Sequence, residues 1–185
     1  MFDYLKYLVQ LILSPSNGWE DIRTANPDPA QLQKKGLYPL IALAALTEFC
    51  VFFYNKDVSV AGVIIRALVD FGAYFISLYV AGLILDIYLP RMFEQSDSAG
   101  NGNRQALLIV FSIGLMVLIQ IVANCLQANL TFMKFVPLYV VLIIYKAARF
   151  MNIKSSYDLR FMCVASVALV VVPALLCFLI GLIFA

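Results

Sequence analysis

Three ionisable residues stand inside long apolar stretches of this 185-residue chain: Glu48, Arg66 and Asp70. A charge in an apolar medium is costly, so each group needs a partner or a polar cavity. Arg66 and Asp70 are separated by one helical turn and therefore share a helix face. Gln120 and Asn124 could complete their hydrogen bonds. We predict a polar cluster of these five residues.

Two roles are open for this cluster. It could be a buried ion pair that fixes how the helices pack, which by itself says little about stability. Alternatively, it could line a polar cavity that passes protons, ions or a small solute, because two carboxylates beside one arginine leave a group free to bind a proton.

Enzymatic chemistry is not predicted. The chain has no histidine, which removes histidine general bases, Ser-His and Cys-His nucleophiles and most zinc or haem sites. The four cysteines lie in or beside apolar stretches, so we expect free thiols. A net charge of +2 does not favour nucleic-acid binding. We predict no catalytic residue, no metal site and no cofactor.

The composition predicts a protein dissolved in a lipid bilayer. Hydrophobic residues make up 63% of the chain and charged residues 13%, against about half and about a quarter in soluble domains. A helix needs roughly 20 apolar residues to cross a membrane. We therefore predict an all-α polytopic membrane protein with five transmembrane helices: Leu37–Tyr54, Val60–Tyr88, Gln105–Asn124, Leu130–Phe150 and Phe161–Ala185.

The placement of lysine and arginine predicts the orientation of these spans. Ten of these residues fall on the side of the N-terminus, and only Lys56 and Lys134 fall on the other. The N-terminus is therefore expected in the cytoplasm and the C-terminus outside, in the inner (cytoplasmic) membrane of a cell.

The first 36 residues are predicted to be a cytoplasmic segment, ahead of a transmembrane domain formed by residues 37–185. Phe2–Leu13 is amphipathic and spans only ~18 Å as a helix, so we expect it to lie in the membrane interface. Pro15 and Gly18 should break this helix, and Trp19 is typical of a side chain at the headgroup boundary. Asp28 is expected to cap a new helix that begins at Pro29.

A second group of residues is predicted at the cytoplasmic boundary. Asp86 is expected to meet Arg91, Arg149 or Lys146 there. The stretch from Pro90 to Gln105 is rich in Ser, Gly and Asn, which predicts a surface loop. The predicted boundary residues are Trp19, Asp86, Arg91, Arg104, Lys146 and Arg149.

Several segments together resemble the Yip family, the Rab/Ypt-interacting membrane proteins, in its small bacterial form. They are "LSPSNGWEDI", "GNGNRQALLIVFSIG" opening the third span, "YKAARFMNIKSS" leaving the fourth, and "VALVVVPALLCFLIG" in the last. A departure is that no proline follows "FSIG". Eukaryotic members are associated with Rab-type GTPases and membrane traffic and are not enzymes.

The resemblance implies a non-enzymatic interaction, scaffold or lipid-organising role. Its partners would be the lipid bilayer and a protein at the cytoplasmic face, contacted by Trp19 with its flanks and by the loop Pro90 to Arg104. Self-association as a homo-oligomer is left open. The alternative is a small transporter, permease-like protein or channel component that uses Glu48, Arg66 and Asp70.

Overall fold

A computed structural model of the chain describes residues 1–55, 57–94, 98–126 and 135–184. These ranges are almost entirely helical and contain no β-strand, which agrees with the all-α prediction. In chain order the α-helices are α1 (Phe2–Leu13), α2 (Pro15–Ala25), α3 (Pro29–Leu32), α4 (Tyr38–Thr47), α5 (Val60–Tyr88), α6 (Ser98–Cys125), α7 (Val136–Phe150), α8 (Asp158–Ser166) and α9 (Val172–Phe184).

Four continuous helical segments in the described ranges are long and apolar enough to cross a bilayer: Pro29–Phe53, Val60–Arg91, Gly100–Cys125 and Ser155–Leu182. Large apolar side chains such as Leu68, Leu83 and Phe178 remain mostly exposed on them. The predicted count of five is not confirmed. The predicted span Leu130–Phe150 begins outside the described residues, and α7 has only 15 residues, a length of ~22 Å.

Two of these segments contain a π-helical turn, and each turn ends two residues before a proline. The turn Gln33–Leu37 precedes Pro39, and the turn Val167–Val171 precedes Pro173. Proline lacks an N–H and its ring crowds the carbonyl four residues earlier. A wider turn at that point relieves the crowding, so both helices continue through their prolines.

The predicted break after α1 is confirmed, because α1 ends at Leu13 and Ser14 has a non-helical φ of −148°. Pro15 then starts α2 in the first position, where a missing N–H costs nothing, and Gly18 lies inside α2 without breaking it. Gly18 lets α2 approach α1 closely, since a Cβ there would lie 3.0 Å from the side chain of Leu11. The expected cap is confirmed, because Asp28 Oδ1 accepts a hydrogen bond from the N–H of Ala30 at 3.2 Å.

The predicted loop between the second and third spans is also shorter than expected. A 3₁₀ turn covers Leu89–Arg91, and α6 already begins at Ser98, so "GNGNR" is helical. Phe93 pairs with Ile153 in an isolated antiparallel bridge, which ties this connection to the one that follows α7. The Gly and Asn content predicted a loop, but continuity with the apolar run of α6 decides the conformation.

Helix α6 occupies the centre of the bundle. It contacts α4, α5 and α7, and more than half of its most apolar part is buried, a larger share than in the other three long segments. Helices α1 and α2 pack on this bundle through α6 and α7. The N-terminal segment is therefore attached to the bundle along its length.

Tyr4 fastens α1 to the bundle. Its side chain is 1% exposed, its hydroxyl donates to the Val110 carbonyl of α6 at 2.8 Å, and its ring stacks on Phe111. Room for this ring comes from Gly36 and Gly114, because a Cβ at either position would overlap Tyr4. Burial raises the pKa of the Tyr4 phenol, so it stays a neutral donor.

This packing predicts opposite outcomes for two Gly→Ala changes on α6. Gly114→Ala should destabilise the fold by about 1–3 kcal/mol, because the new methyl group displaces Tyr4. Gly102→Ala meets no atom within 4 Å and should be neutral or stabilising by up to about 1 kcal/mol, through helix propensity. Thermal unfolding in detergent measures both variants. Equal shifts for the two would contradict the role given to Gly114.

Candidate functional site

The predicted polar cluster forms around Glu48, where the first long helix tightens into a 3₁₀ turn. Thr47 precedes this turn and donates its hydroxyl hydrogen to the Ala44 carbonyl at 2.6 Å. The Glu48 carboxylate accepts from Asn124 Nδ2 at 2.5 Å and from Gln120 Nε2 at 3.3 Å, both on α6. The end of one apolar helix is thus attached to another through side-chain amides.

Gln120 connects the carboxylates of two different helices. Its Nε2 also lies 3.4 Å from Asp70 Oδ2 of α5 and 3.1 Å from Asn124 Oδ1, one turn along α6. An amide nitrogen carries two hydrogens, so it cannot satisfy all three acceptors fully at once. Glu48 and Asp70 therefore compete for the same donor. We call Glu48, Asp70, Gln120 and Asn124 the carboxylate–amide cluster.

Arg66 does not join this cluster, which corrects the predicted Glu48–Arg66–Asp70 arrangement. Its side chain is exposed, and within the described ranges it forms no ion pair closer than 4.0 Å. The spacing along α5 does place Arg66 and Asp70 on one face. Asp70 reaches the Gln120 amide of α6, however, whereas the exposed Arg66 side chain forms no ion pair with it closer than 4.0 Å.

Arg66 and Asp70 instead line a cavity of about 430 Å³ between α5 and α9. Its other described walls are small or apolar, so the guanidinium and the carboxylate are the only charged groups among the described residues that line it. Cys177 of α9 lies beside Asp70 in this cavity. The lining residues are Gly62, Ile65, Arg66, Val69, Asp70, Cys177 and Gly181.

Two members of this site, Thr47 and Cys177, were not predicted from the sequence. The Thr47 hydroxyl accepts from Asn124 Nδ2 at 3.1 Å, and its place next to Glu48 was the available signal. Cys177 had no comparable signal, because only the packing of α9 against α5 brings it to Asp70.

Trp19 is not at a surface, which corrects both of its predicted roles. Its side chain is 2% exposed, its indole N–H donates to the Ile143 carbonyl of α7 at 2.9 Å, and its ring stacks on Phe150 at 5.0 Å. A buried indole whose only donor is satisfied cannot contact a headgroup or a protein partner.

Asp86 also has a different partner from the predicted cations. Its Oδ1 accepts from Gln105 Nε2 of α6 at 2.7 Å, and no ion pair of Asp86 occurs among the described residues. Arg104 lies half-buried one residue before this glutamine. The predicted cation is therefore replaced by an amide of the neighbouring helix.

The remaining boundary residues line two grooves at that end of the bundle. Lys146 and Arg149 face Glu20 and Asp158 across a groove of about 380 Å³, so positive and negative charges balance there. Arg91 lies in a second groove of about 490 Å³ that we call the arginine groove. In the part of the chain that the structure describes, no carboxylate lines it; the lining residues are Tyr88, Arg91, Met92, Tyr157, Leu159, Arg160, Cys163 and Val164.

Neither site suggests a metal centre. Across residues 1–55, 57–94, 98–126 and 135–184, no three Cys, Asp or Glu side chains come together as metal ligands would. The carboxylate–amide cluster can bind and release a proton, because electrostatic repulsion between two neighbouring carboxylates opposes the ionisation of both.

Comparison with known proteins adds no assignment: no protein-family model, curated protein or solved structure matches this chain. The fold itself defines the class. It is an α-helical protein with several helices that are long and apolar enough to span a membrane, consistent with a membrane protein.

The burial of Trp19, the single tryptophan of the chain, can be measured by fluorescence. In detergent, the folded protein should emit at short wavelength, and acrylamide should quench it several-fold less than it quenches a free indole. Unfolding should shift the emission to longer wavelength and remove the protection. A ring at the headgroup boundary would instead be quenched readily by acrylamide in the folded state, and that result would contradict the docking of α2 on α7.

Proposed function

We propose that this chain is an integral membrane protein of the Yip type, with five spans and its N-terminus in the cytoplasm. Four long apolar helices with exposed apolar side chains support membrane insertion, and the ten-to-two distribution of basic residues supports the orientation. The fifth span would combine α7 with the residues that precede it. Its role is non-enzymatic, and we propose that it organises lipid at the cytoplasmic face of the inner membrane.

The observation that carries this proposal is the arginine groove. Arg91 ends one long apolar segment and Arg160 lies near the start of another, so both belong at a membrane boundary. The Arg160 guanidinium lies 5.5 Å from the centre of the Tyr157 ring, which steadies the side chain. Arginine binds phosphate oxygens through paired N–H donors.

The walls of this groove favour a lipid over a free anion. Leu159, Met92 and Val164 offer apolar surface in the same groove as the two guanidinium groups, and the start of an acyl chain can pack against it. Tyrosines such as Tyr88 and Tyr157 are typical of headgroup depth. With two cations and no carboxylate among its described lining residues, the arginine groove suits an anionic phospholipid. The groove around Lys146 has equal numbers of positive and negative side chains, so it suits an anionic phospholipid less well.

A double substitution in the arginine groove tests this role. Arg91→Gln with Arg160→Gln should weaken binding of an anionic phospholipid at least tenfold, because each basic side chain contributes about 1 kcal/mol near a membrane surface. Native mass spectrometry of the detergent-solubilised protein, titrated with phosphatidylglycerol, gives the apparent Kd.

The matched control is Lys146→Gln with Arg149→Gln, which removes the same charge from the same end of the bundle. It should leave the apparent Kd within about twofold. If both doubles lose affinity equally, general surface charge explains the binding, and the groove has no special role.

A second candidate is a small transporter or channel component, because a cavity reaches Asp70. The cavity is lined by Arg66 and by Asp70, whose carboxylate shares its hydrogen-bond donor with Glu48. Such a pair can exchange a proton when a cation or a protonated solute enters. This arrangement supports coupled movement of protons or cations.

Neutral variants of the two acids test transport. In liposomes with a trapped pH-sensitive dye, Glu48→Gln and Asp70→Asn should each reduce proton flux at least tenfold relative to the unaltered protein, because each removes a proton-binding carboxylate. Asp86→Asn removes an exposed carboxylate at the other end of α5 and should have no effect. Flux equal to that of empty liposomes for the unaltered protein would rule out this candidate for protons.

A further inference from the structure

Cys50 and Cys125 are neighbours in space although 75 residues separate them in the chain. Their sulfur atoms are 3.9 Å apart. Cys50 lies in the 3₁₀ turn Glu48–Phe53, and Cys125 is the last residue of α6. Both side chains are partly exposed. No second pair of thiols approaches this closely in the described ranges, which include Cys163 and Cys177.

The approach of the two thiols is fixed from both sides. On one side of the pair, Asn124, which precedes Cys125, donates hydrogen bonds to Thr47 and Glu48, which precede Cys50. After Cys50, the Tyr54 hydroxyl donates to the carbonyl of Cys125 itself at 2.7 Å. A disulfide needs a sulfur–sulfur distance of about 2.05 Å. The two sulfur atoms must therefore approach from their present 3.9 Å for the bond to form.

We propose that Cys50 and Cys125 form a disulfide bond that joins the end of the first long helix to the end of α6. All four cysteines are free thiols in the structure, in agreement with the sequence expectation, and the proposal is that this one pair becomes oxidised. It uses only the orientation given under the proposed function, in which this end of the bundle faces an oxidising compartment, and it is independent of lipid binding and transport.

The chemistry is thiol–disulfide exchange with a protein disulfide as the oxidant. A thiolate of the pair attacks the oxidant's S–S bond and forms a mixed disulfide, which releases one thiol of the oxidant. The second cysteine, after losing its proton, attacks the mixed disulfide, so that the Cys50–Cys125 bond forms and the other oxidant sulfur leaves. The chain loses two electrons and two protons, and the oxidant gains both.

The bond would act directly on the carboxylate–amide cluster. Glu48 lies two residues before Cys50, and Asn124 lies immediately before Cys125. A covalent link at that point holds the Glu48 carboxylate against its amide donors even when the hydrogen bonds exchange. With both thiols free, the turn is held to α6 by hydrogen bonds from Asn124, Gln120 and Tyr54 alone. The site is therefore a modification site that sets the spacing between the two helices.

The test counts thiols in cells that express the full chain. Acid quenching traps the thiol state, a light maleimide labels free cysteines in denaturant, and a heavy maleimide labels those released by reduction. Mass spectrometry should find the heavy label on Cys50 and Cys125 and the light label on Cys163 and Cys177. Cys50→Ser should convert Cys125 to the light label, whereas Cys163→Ser and Cys177→Ser should leave the heavy pair unchanged.

Oxidation of isolated membranes with copper phenanthroline distinguishes the ways in which the proposal can fail. If the pair is reduced in cells but closes quantitatively in membranes, the disulfide is overturned, and the orientation under the proposed function fails with it. If the pair closes in neither setting, the geometry of the pair is wrong while the orientation stands. A heavy label on any other pair also overturns the proposal.

Discussion

Every polar group that enters an apolar medium must find its partner inside the protein, and most of this structure follows from that requirement. Ser77 and Thr47 donate to carbonyls of their own helix turns. Tyr4 and Trp19 donate to carbonyls of other helices and thereby attach the N-terminal pair to the bundle. Within the described ranges, the hydroxyls of Ser112 and Ser166 are buried without a partner, at a cost of about 1–3 kcal/mol each.

The same requirement explains the balance of the carboxylate–amide cluster. Gln120 and Asn124 supply donors without adding charge, so two acids can share one site near the end of three helices. The two amides supply too few N–H groups to satisfy both carboxylates fully. Any change in the protonation of Glu48 or Asp70 must therefore redistribute the hydrogen bonds of α6, which couples the charge of the site to the contact between helices.

Features with local causes could be predicted from the sequence. Apolar length gave the bounds of α5, and the Asp28-Pro29 pair gave a helix start. Glu48 and Asp70 lie on either side of the short connection between the first two long helices, and this position predicted that the two carboxylates are neighbours. Features with distant causes could not be predicted. Trp19 is buried by Ile143 and Phe150, and Asp86 bonds to Gln105, because of packing between helices that no local pattern records. Arg66 was misplaced because helical spacing does not fix where a long side chain ends.

The long-range bonds of the N-terminal helices impose an order on the assembly of this chain. Tyr4 bonds to a residue 106 positions later, and Trp19 to one 124 positions later. During synthesis, α1 and α2 leave the ribosome before α6 and α7, so the surfaces that bind them do not yet exist. Until then the apolar face of α1 needs another cover, and the membrane surface can supply it. The two N-terminal helices therefore dock only after α6 and α7 have been made.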